Sequence, residues 1–246
     1  MRQVSIITAV APEKADFVKD TYVSITEQVM PDGWAWQWVV QQDGPENVDD
    51  LLPTDDPRIS FGVGRRSGPA VTRNLALARA EGELVRVLDA DDQLTPGALA
   101  RDVEVLARER HVGWTTSRVL DLLPDGSTVG FPLDPPPGPI PRGAVLEHWL
   151  AHDYRAQVHP ATLCMRRDLL FLLGGWMGLP ASEDTGLLLA LNAISVGYFI
   201  DEPGLLYRKW PRQVTASIDH SDPLELSARR KLIETRTRAL LCAYTV

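Results

Sequence analysis

Apolar positions along this chain follow two periods, and their alternation predicts a layered α/β fold. Residues 4–9 form a continuous apolar run with β-branched members, the pattern of a strand buried on both faces of a parallel sheet. Residues 14–29 follow with Phe17, Val18, Tyr22, Ile25 and Val29 at helical spacing. A second strand is expected over 36–41, stopping at Asp43-Gly44-Pro45. A third follows over 58–61, then an alanine-rich helix over 69–80 and a fourth buried strand over 84–88. Strand and helix alternate throughout, so the expectation is a doubly wound sheet whose loops at the strand C-termini form a ligand crevice. Thr95-Pro96 reads as an N-cap and first helical residue for a helix reaching about 110.

Beyond 110 the pattern changes. Runs at 112–123 and 127–131 flank Pro124-Asp125-Gly126 and predict a hairpin. Residues 131–141 are too rich in proline for regular structure and are expected as an extended surface loop, a candidate lid or acceptor wall. Helices over 142–151 and 168–173, the latter stopped by Gly174-Gly175, flank a strand over 162–165. Glu183-Asp184 opens a helix to about 196, and strands follow near 198–200 and 205–207. Asp222-Pro223-Leu224-Glu225 has the form of a capping box for a last helix. No internal repeat or flexible linker is visible, so residues 1–246 read as a single domain with two functional halves, 1–110 and 111–246.

Composition narrows the classes. A chain of 246 residues with 44% apolar content can bury a substantial core. Its net charge of -8 lacks the basic footprint of a protein that holds long nucleic acid, although a small anion can still be held by clustered arginines or a cation. The longest apolar stretch, 169–173, falls far short of a membrane span, and the first residues enter a strand without the h-region of a signal peptide. The expectation is a soluble, cytoplasmic protein in which Cys164 and Cys242 are reduced, buried thiols. Lys14, Lys19, Lys209 and Lys231 are the only lysines among many arginines, a bias common in GC-rich bacterial genomes.

The sharpest chemical feature is Leu88-Asp89-Ala90-Asp91-Asp92, a buried strand that runs into three carboxylates. Crowded acids repel one another, and a divalent cation bound by their oxygens relieves the repulsion. An isolated acidic turn is more often a solvated helix cap; here it falls where the crevice of an α/β sheet belongs. Asp43 stands at the end of another strand and can accept from a base N–H or a ribose hydroxyl, or serve as an ordinary turn residue beside Gly44. Gly68-Pro69 starts a helix with Arg73 one turn in, placing backbone N–H groups and a cation near the crevice. Gly62, Gly64 and Gly68 lack the spacing of a dinucleotide fingerprint. Trp34, Trp36 and Trp38 alternate with period two, as one packed strand face does, while Trp149 and Trp176 remain candidates for stacking on a sugar.

Taken in order, these segments resemble the inverting glycosyltransferases of family 2, which have the GT-A fold. The resembling positions are Val4-Ser5-Ile6-Ile7-Thr8, Asp43-Gly44, Gly68-x-Ala70-x-x-Arg73-Asn74, Gly82, Leu88-Asp89-Ala90-Asp91-Asp92, Glu183-Asp184, and Tyr207-Arg208 with Gln213-Val214-Thr215. The resemblance implies a GT-A domain whose first half binds a nucleoside-diphosphate sugar and whose second half binds an acceptor and carries the base. It implies that Thr8, Val10 and Asp43 line the base pocket, that Asp89 with Ala90 faces the ribose, and that Asp91, with Asp89 beside it, carries Mg²⁺ or Mn²⁺ on the diphosphate. Asp184 matches the catalytic base, with Glu183 the alternative. Arg208, Lys209 and Arg212 are candidates to close over the diphosphate, and His159 and Trp176 are acceptor-side candidates, the acceptor being a small molecule or a cell-surface precursor. Two positions depart from the family pattern: Gln42 precedes Asp43 where two acids are usual, and Trp210 stands where many relatives have His.

Two other readings are weighed against this one. A sugar nucleotidyltransferase requires a glycine-rich loop after the first strand, and Thr8-Ala9-Val10-Ala11-Pro12 has no glycine. A non-catalytic sugar-nucleotide-binding module would bind nucleotide tightly without transfer.

Overall fold

Alternate residues of the first strand point into two different cores, which explains why it is mainly apolar on both faces, with Ser5 and Thr8 buried among its apolar residues. The structure, a computed structural model, describes residues 1–45, 52–53, 55–131, 134–210 and 222–244. In β1 (Arg2–Val10), Ile7 enters one core, and Val4, Ile6 and Val10 enter the other. Around β1 stand β2 (Trp34–Asp43), β3 (Ile59–Gly64) and β4 (Leu84–Val87), all parallel, in the order β3-β2-β1-β4. Gly82 permits this packing: a Cβ there would lie 2.5 Å from the Ser5 nitrogen, so any side chain would push β4 away from β1.

The same ten-stranded sheet continues through the second half as β9-β6-β10-β5. Here β5 is Gln93–Leu94, β6 Val112–Leu122, β9 Cys164–Arg166 and β10 Val196–Arg208. β9 is antiparallel to both β4 and β6, whereas β6 and β10 are parallel. Two short strands, β7 (Thr128–Gly130) and β8 (Gly138–Ile140), pair with β6 and β10.

Helices cover both faces. On one side lie α1 (Val18–Thr26) and α3 (Ala98–Arg108), which share one core with Trp36, Trp38 and Val40, α3 lying against β6 and β10. On the other lie α2 (Pro69–Leu77), α4 (Ala144–Ala151), α5 (Arg167–Leu172), α6 (Glu183–Ile194) and α7 (Pro223–Ala243). α6 is buried along most of its length, and α7 lies over it. The Asp222 carboxylate accepts from the Glu225 N–H at 2.8 Å, so the expected cap of the last helix forms. No helix of the described residues is long and apolar enough to cross a membrane.

Several expectations are corrected. The helix expected from Thr95 starts at Ala98 behind a left-handed Gly97; the Thr95 hydroxyl donates to the Pro203 carbonyl and accepts from Arg101 Nη2 at 3.3 Å, so it serves β10 and the Arg101 side chain and not the helix N-terminus. The strands expected near 198–200 and 205–207 are one strand whose register shifts on both sides of Pro203, a residue with no N–H for the ladder. The proline-rich segment is not wholly irregular, since β8 lies within it. Cys164 is buried but Cys242 is exposed. The tryptophan stripe packs as expected: Trp38 is fully buried and stacks on Tyr22, with ring centroids 5.5 Å apart.

One buried charge pair was not visible in the sequence pattern. Arg86 of β4 is fully buried and donates to Asp102 of α3 at 3.2 Å, while Asp102 also accepts from the Thr115 hydroxyl of β6 at 2.7 Å. Arg86 also donates to the carbonyls of Thr162 and Gly204. It thereby ties the parallel half of the sheet to the mixed half.

Candidate active site

β4 runs parallel to β1 and pairs on its other edge with β9, so the acids that follow it stand where the two halves of the sheet meet. Asp89 is partly exposed and accepts from Arg73 Nη2 at 2.6 Å. Burial alone would raise its pKa, but Arg73 and Lys14 outweigh burial and bring it down to about 2. Asp91 is 4% exposed, and both of its oxygens have partners. Lys14 Nζ donates to Oδ1 at 2.8 Å and Trp210 Nε1 donates to Oδ2 at 2.8 Å. Asp92 is fully buried; its Oδ1 accepts from the Arg208 N–H at 3.0 Å, and its Oδ2 has no partner among the described residues. Burial, then the charges of Asp89 and Asp91, push the Asp92 carboxyl well above the usual carboxylate range.

Asp43 ends β2 with its carboxylate aimed at the loop before α2. It accepts from the Ser67 N–H at 2.6 Å and the Gly68 N–H at 3.1 Å. Gly68 has φ +83, a conformation that suits glycine and starts α2 at Pro69. Asp43→Ala should release this loop, lowering the melting temperature by several degrees and weakening binding of any ligand seated between β2 and α2 by about tenfold. A variant with unchanged melting would show that the two hydrogen bonds are incidental.

From α2, Arg73 and Asn74 reach across to the second half. Arg73 is 5% exposed and forks, with Nη2 on Asp89 and Nη1 on Glu183, both at 2.6 Å. Asn74 donates to the Trp176 carbonyl and accepts from the Trp176 N–H, each at 2.9 Å. These adjacent residues therefore hold the segment leading to α6 by its backbone and by its first side chain. Ser182 turns that segment into α6 through a left-handed conformation, φ 64, unusual for a residue with a Cβ. Glu183 is buried against Arg73, and burial together with Asp184 pushes its carboxyl up to about 7 against the pull of Arg73. Asp184 is only half-buried, and among the described residues its hydrogen bonds engage Oδ1 alone, from the Thr185 N–H at 2.6 Å.

His159 completes the wall. Its ring lies between Tyr207, 5.0 Å away, and Phe131, 6.4 Å away, and its Nδ1 accepts from the Ala161 N–H at 3.3 Å. In the neutral ring this acceptor role leaves the proton on Nε2. Burial lowers its pKa, while Asp184 and Asp89 pull the other way. Lys209 pairs with Asp121 at 3.2 Å close by.

The structure thus gathers Asp89, Asp91, Arg73, Glu183, Asp184 and His159 into one cluster, and it revises other expectations. The side chains of Thr8, Val10 and Ala90 are fully buried, and the Thr8 hydroxyl accepts from Trp38 Nε1 at 2.9 Å, so these side chains do not line a pocket. Arg73 is a buried bridge whose two terminal nitrogens are both engaged, not a cation presented to a ligand. Arg208 is tied to the Asp91 carbonyl and to Asp20, both at 2.8 Å, instead of sitting in a loose loop. Trp149 and Trp176 are 3% and 2% exposed, too buried to stack on a sugar. Arg212 and Gln213-Val214-Thr215 lie outside the described residues. Among the described residues, no three His, Cys, Asp or Glu side chains are grouped to hold a metal ion. Sequence reasoning missed Lys14 and Trp210, which carried no local signal beyond the substitution of Trp for His.

Comparison with known proteins places the fold and the family. The chain is 32% identical over 108 residues to TuaG of Bacillus subtilis (strain 168), whose name assigns it as a glycosyltransferase of teichuronic acid biosynthesis. The match covers 42% of this chain and 41% of TuaG. The crystal structure of S. aureus TarS 1-349 in complex with UDP-GlcNAc superposes with a TM-score of 0.71 at 16% identity, covering 99% of this chain and 71% of that one. The structure of S. aureus TarS superposes with a TM-score of 0.69 at 15% identity, covering 99% of this chain and 43% of that one. Agreement along the whole chain establishes the GT-A fold. The family profile of glycosyl transferase family 2 matches residues 5–130, just over half of the chain, and carries the acidic turn after β4: the chain belongs to glycosyl transferase family 2.

Proposed function

We propose that this chain transfers a sugar from a nucleoside-diphosphate sugar to an acceptor hydroxyl or amine, inverting the anomeric centre with Asp184 as general base. One observation carries the reading: buried Arg73 joins Asp89, at the end of β4, to Glu183, the neighbour of Asp184. Donor-side and acceptor-side carboxylates are thereby set at one crevice by one rigid group. In this division residues 1–110 hold the donor and 111–246 hold the acceptor and the base. TarS is a structural neighbour seen with UDP-GlcNAc, which supports a uridine-type donor, and the naming of TuaG supports a cell-surface precursor as acceptor.

The step is a single in-line displacement. Asp184 takes the proton of the acceptor O–H or N–H as that atom bonds to the anomeric carbon. The bond from that carbon to the diphosphate oxygen breaks, and the oxygen keeps the electron pair. Asp184 suits the base role better than Glu183 because it is half-buried and not held by Arg73. The Nε2–H of His159 supplies a donor to orient the acceptor oxygen. Asp89, kept ionised by Arg73, can accept from a ribose hydroxyl.

The donor chemistry at the acidic turn fits a hard divalent cation. Asp91 offers two carboxylate oxygens, each accepting one hydrogen bond and so keeping a lone pair. Mg²⁺ or Mn²⁺ held at Asp91, with Asp89 beside it, would neutralise the charge that builds on the leaving diphosphate.

The reading is tested by melting curves with UDP, dTDP and GDP in the presence of Mn²⁺. A ligand at a hundredfold excess over its Kd adds about 2.7 kcal/mol, roughly 5–10 °C for a chain of this size. The shift is expected for one of these nucleotides and is expected to be lost in Asp91→Asn. No shift with any of the three, or pyrophosphate release from a nucleoside triphosphate, would sink it.

A further inference from the structure

We propose that Lys14 is a built-in counter-cation for Asp91, and that Lys14 and a divalent metal ion compete for this carboxylate. Lys14 lies in the tight turn Pro12–Phe17 that follows β1, 77 positions from the acid it meets. Its Nζ is 2.8 Å from Asp91 Oδ1, and the two side chains are 17% and 5% exposed, so solvent screens the pair poorly. The other oxygen accepts the Trp210 indole N–H at 2.8 Å. An indole N–H is a donor with no electron pair to offer a metal. A dication approaching Asp91 therefore meets an ammonium on one oxygen and the positive end of an N–H dipole on the other.

The surroundings hold this arrangement in place. Phe17, at the end of the Lys14 turn, packs against Trp210 with ring centroids 5.3 Å apart, and the Arg208 guanidinium lies over Phe17 at 4.8 Å. The turn, the end of β10 and Trp210 thus form one wall beside the acids. Asp89 is engaged through Oδ1 by Arg73, so Asp91 is the acid that Lys14 meets directly. Lys14 has a flexible stem with one hydrogen-bond partner at its tip among the described residues, so it can leave Asp91 when a stronger cation arrives, and its charge opposes that arrival until it does.

This inference rests on the reading of Asp91 as the cation-bearing carboxylate, and the experiment separates the two. Direct Mn²⁺ binding is measured by the electron paramagnetic resonance signal of the free ion, with wild type, Lys14→Met, Lys14→Arg and the double variant Lys14→Met with Asp91→Asn. Removing the ammonium should tighten Mn²⁺ binding by at least about tenfold. Lys14→Arg should remain as weak as wild type, and the double variant should lose the gain. Equal Mn²⁺ affinity in wild type and Lys14→Met overturns the competition while leaving Asp91 as the metal site. A gain that persists without the Asp91 carboxylate, or no Mn²⁺ binding by any variant, overturns both. Circular dichroism melts check that each protein is folded, and Lys14→Gln replaces Lys14→Met if the latter is not.

Discussion

Asp184→Asn is expected to lower kcat by about 10² to 10⁴ while leaving the KM for the sugar donor nearly unchanged. The amide keeps the shape of the carboxylate and its hydrogen bond from the Thr185 N–H, but it cannot take the acceptor proton. Glu183→Gln separates the two acids. Its amide oxygen can still accept from Arg73, so the scaffold is retained and the rate should fall by about tenfold at most. Steady-state rates with varied donor decide the matter; a crippled Glu183→Gln beside a competent Asp184→Asn would move the base by one residue. A pH series adds an independent check. The folded Glu183 carboxyl titrates near 7, above its ordinary value of 4.5, so its protonated form favours the fold. That contribution is complete below about pH 4.5 and is lost as the pH rises through 7. Glu183→Gln, which mimics the protonated form, should flatten the stability profile across this window.

Arg73→Met is expected to be the most destabilising change at the site. It leaves Asp89 and Glu183 without the guanidinium that each meets at 2.6 Å. Stripping the shared cation from the buried Glu183 and the partly exposed Asp89 costs about 3–5 kcal/mol, roughly 6–20 °C in melting temperature at this chain length. The loss should be largest at alkaline pH and shrink in acid. Without Arg73 both carboxyls titrate higher, and protonation removes the charges that lack a partner. In the wild type Asp89 behaves oppositely: held near 2, it contributes stability above the ordinary carboxylate range and loses it as the pH falls toward 2. Melting curves at pH 5 and pH 8 for wild type, Arg73→Met and Arg73→Lys check this. Arg73→Lys should recover only part of the loss, since one ammonium lacks the planar fork that reaches both acids. Equal melting of Arg73→Met and wild type would show that the bridge contributes nothing.

The architecture was largely legible because its signals are local. The mainly apolar stretches of β1, β2 and β4 announced buried strands, and the capping pattern at Asp222 marked the start of α7. The acids of the site were legible for the same reason, since each ends a strand or opens a helix. Their partners were not. Thr95 looked like a helix cap, but α3 starts at Ala98 and the Thr95 hydroxyl bonds the Pro203 carbonyl of β10 and the Arg101 guanidinium instead. Trp149 and Trp176 looked like open aromatic faces until α4 and the segment before α6 packed them into the core. Arg73 looked like a free cation, and Lys14 looked like the start of an ordinary helix.

By itself, then, the sequence determined the order of strands and helices and the places where carboxylates leave the sheet, because periodicity, turns and caps act over a few residues. Only the tertiary structure decided which cation meets which acid: Lys14 pairs with Asp91 across 77 positions and Arg73 with Glu183 across 110. Such pairs depend on how distant segments pack, and their strength depends on the burial that this packing creates. No local pattern along the chain encodes either quantity.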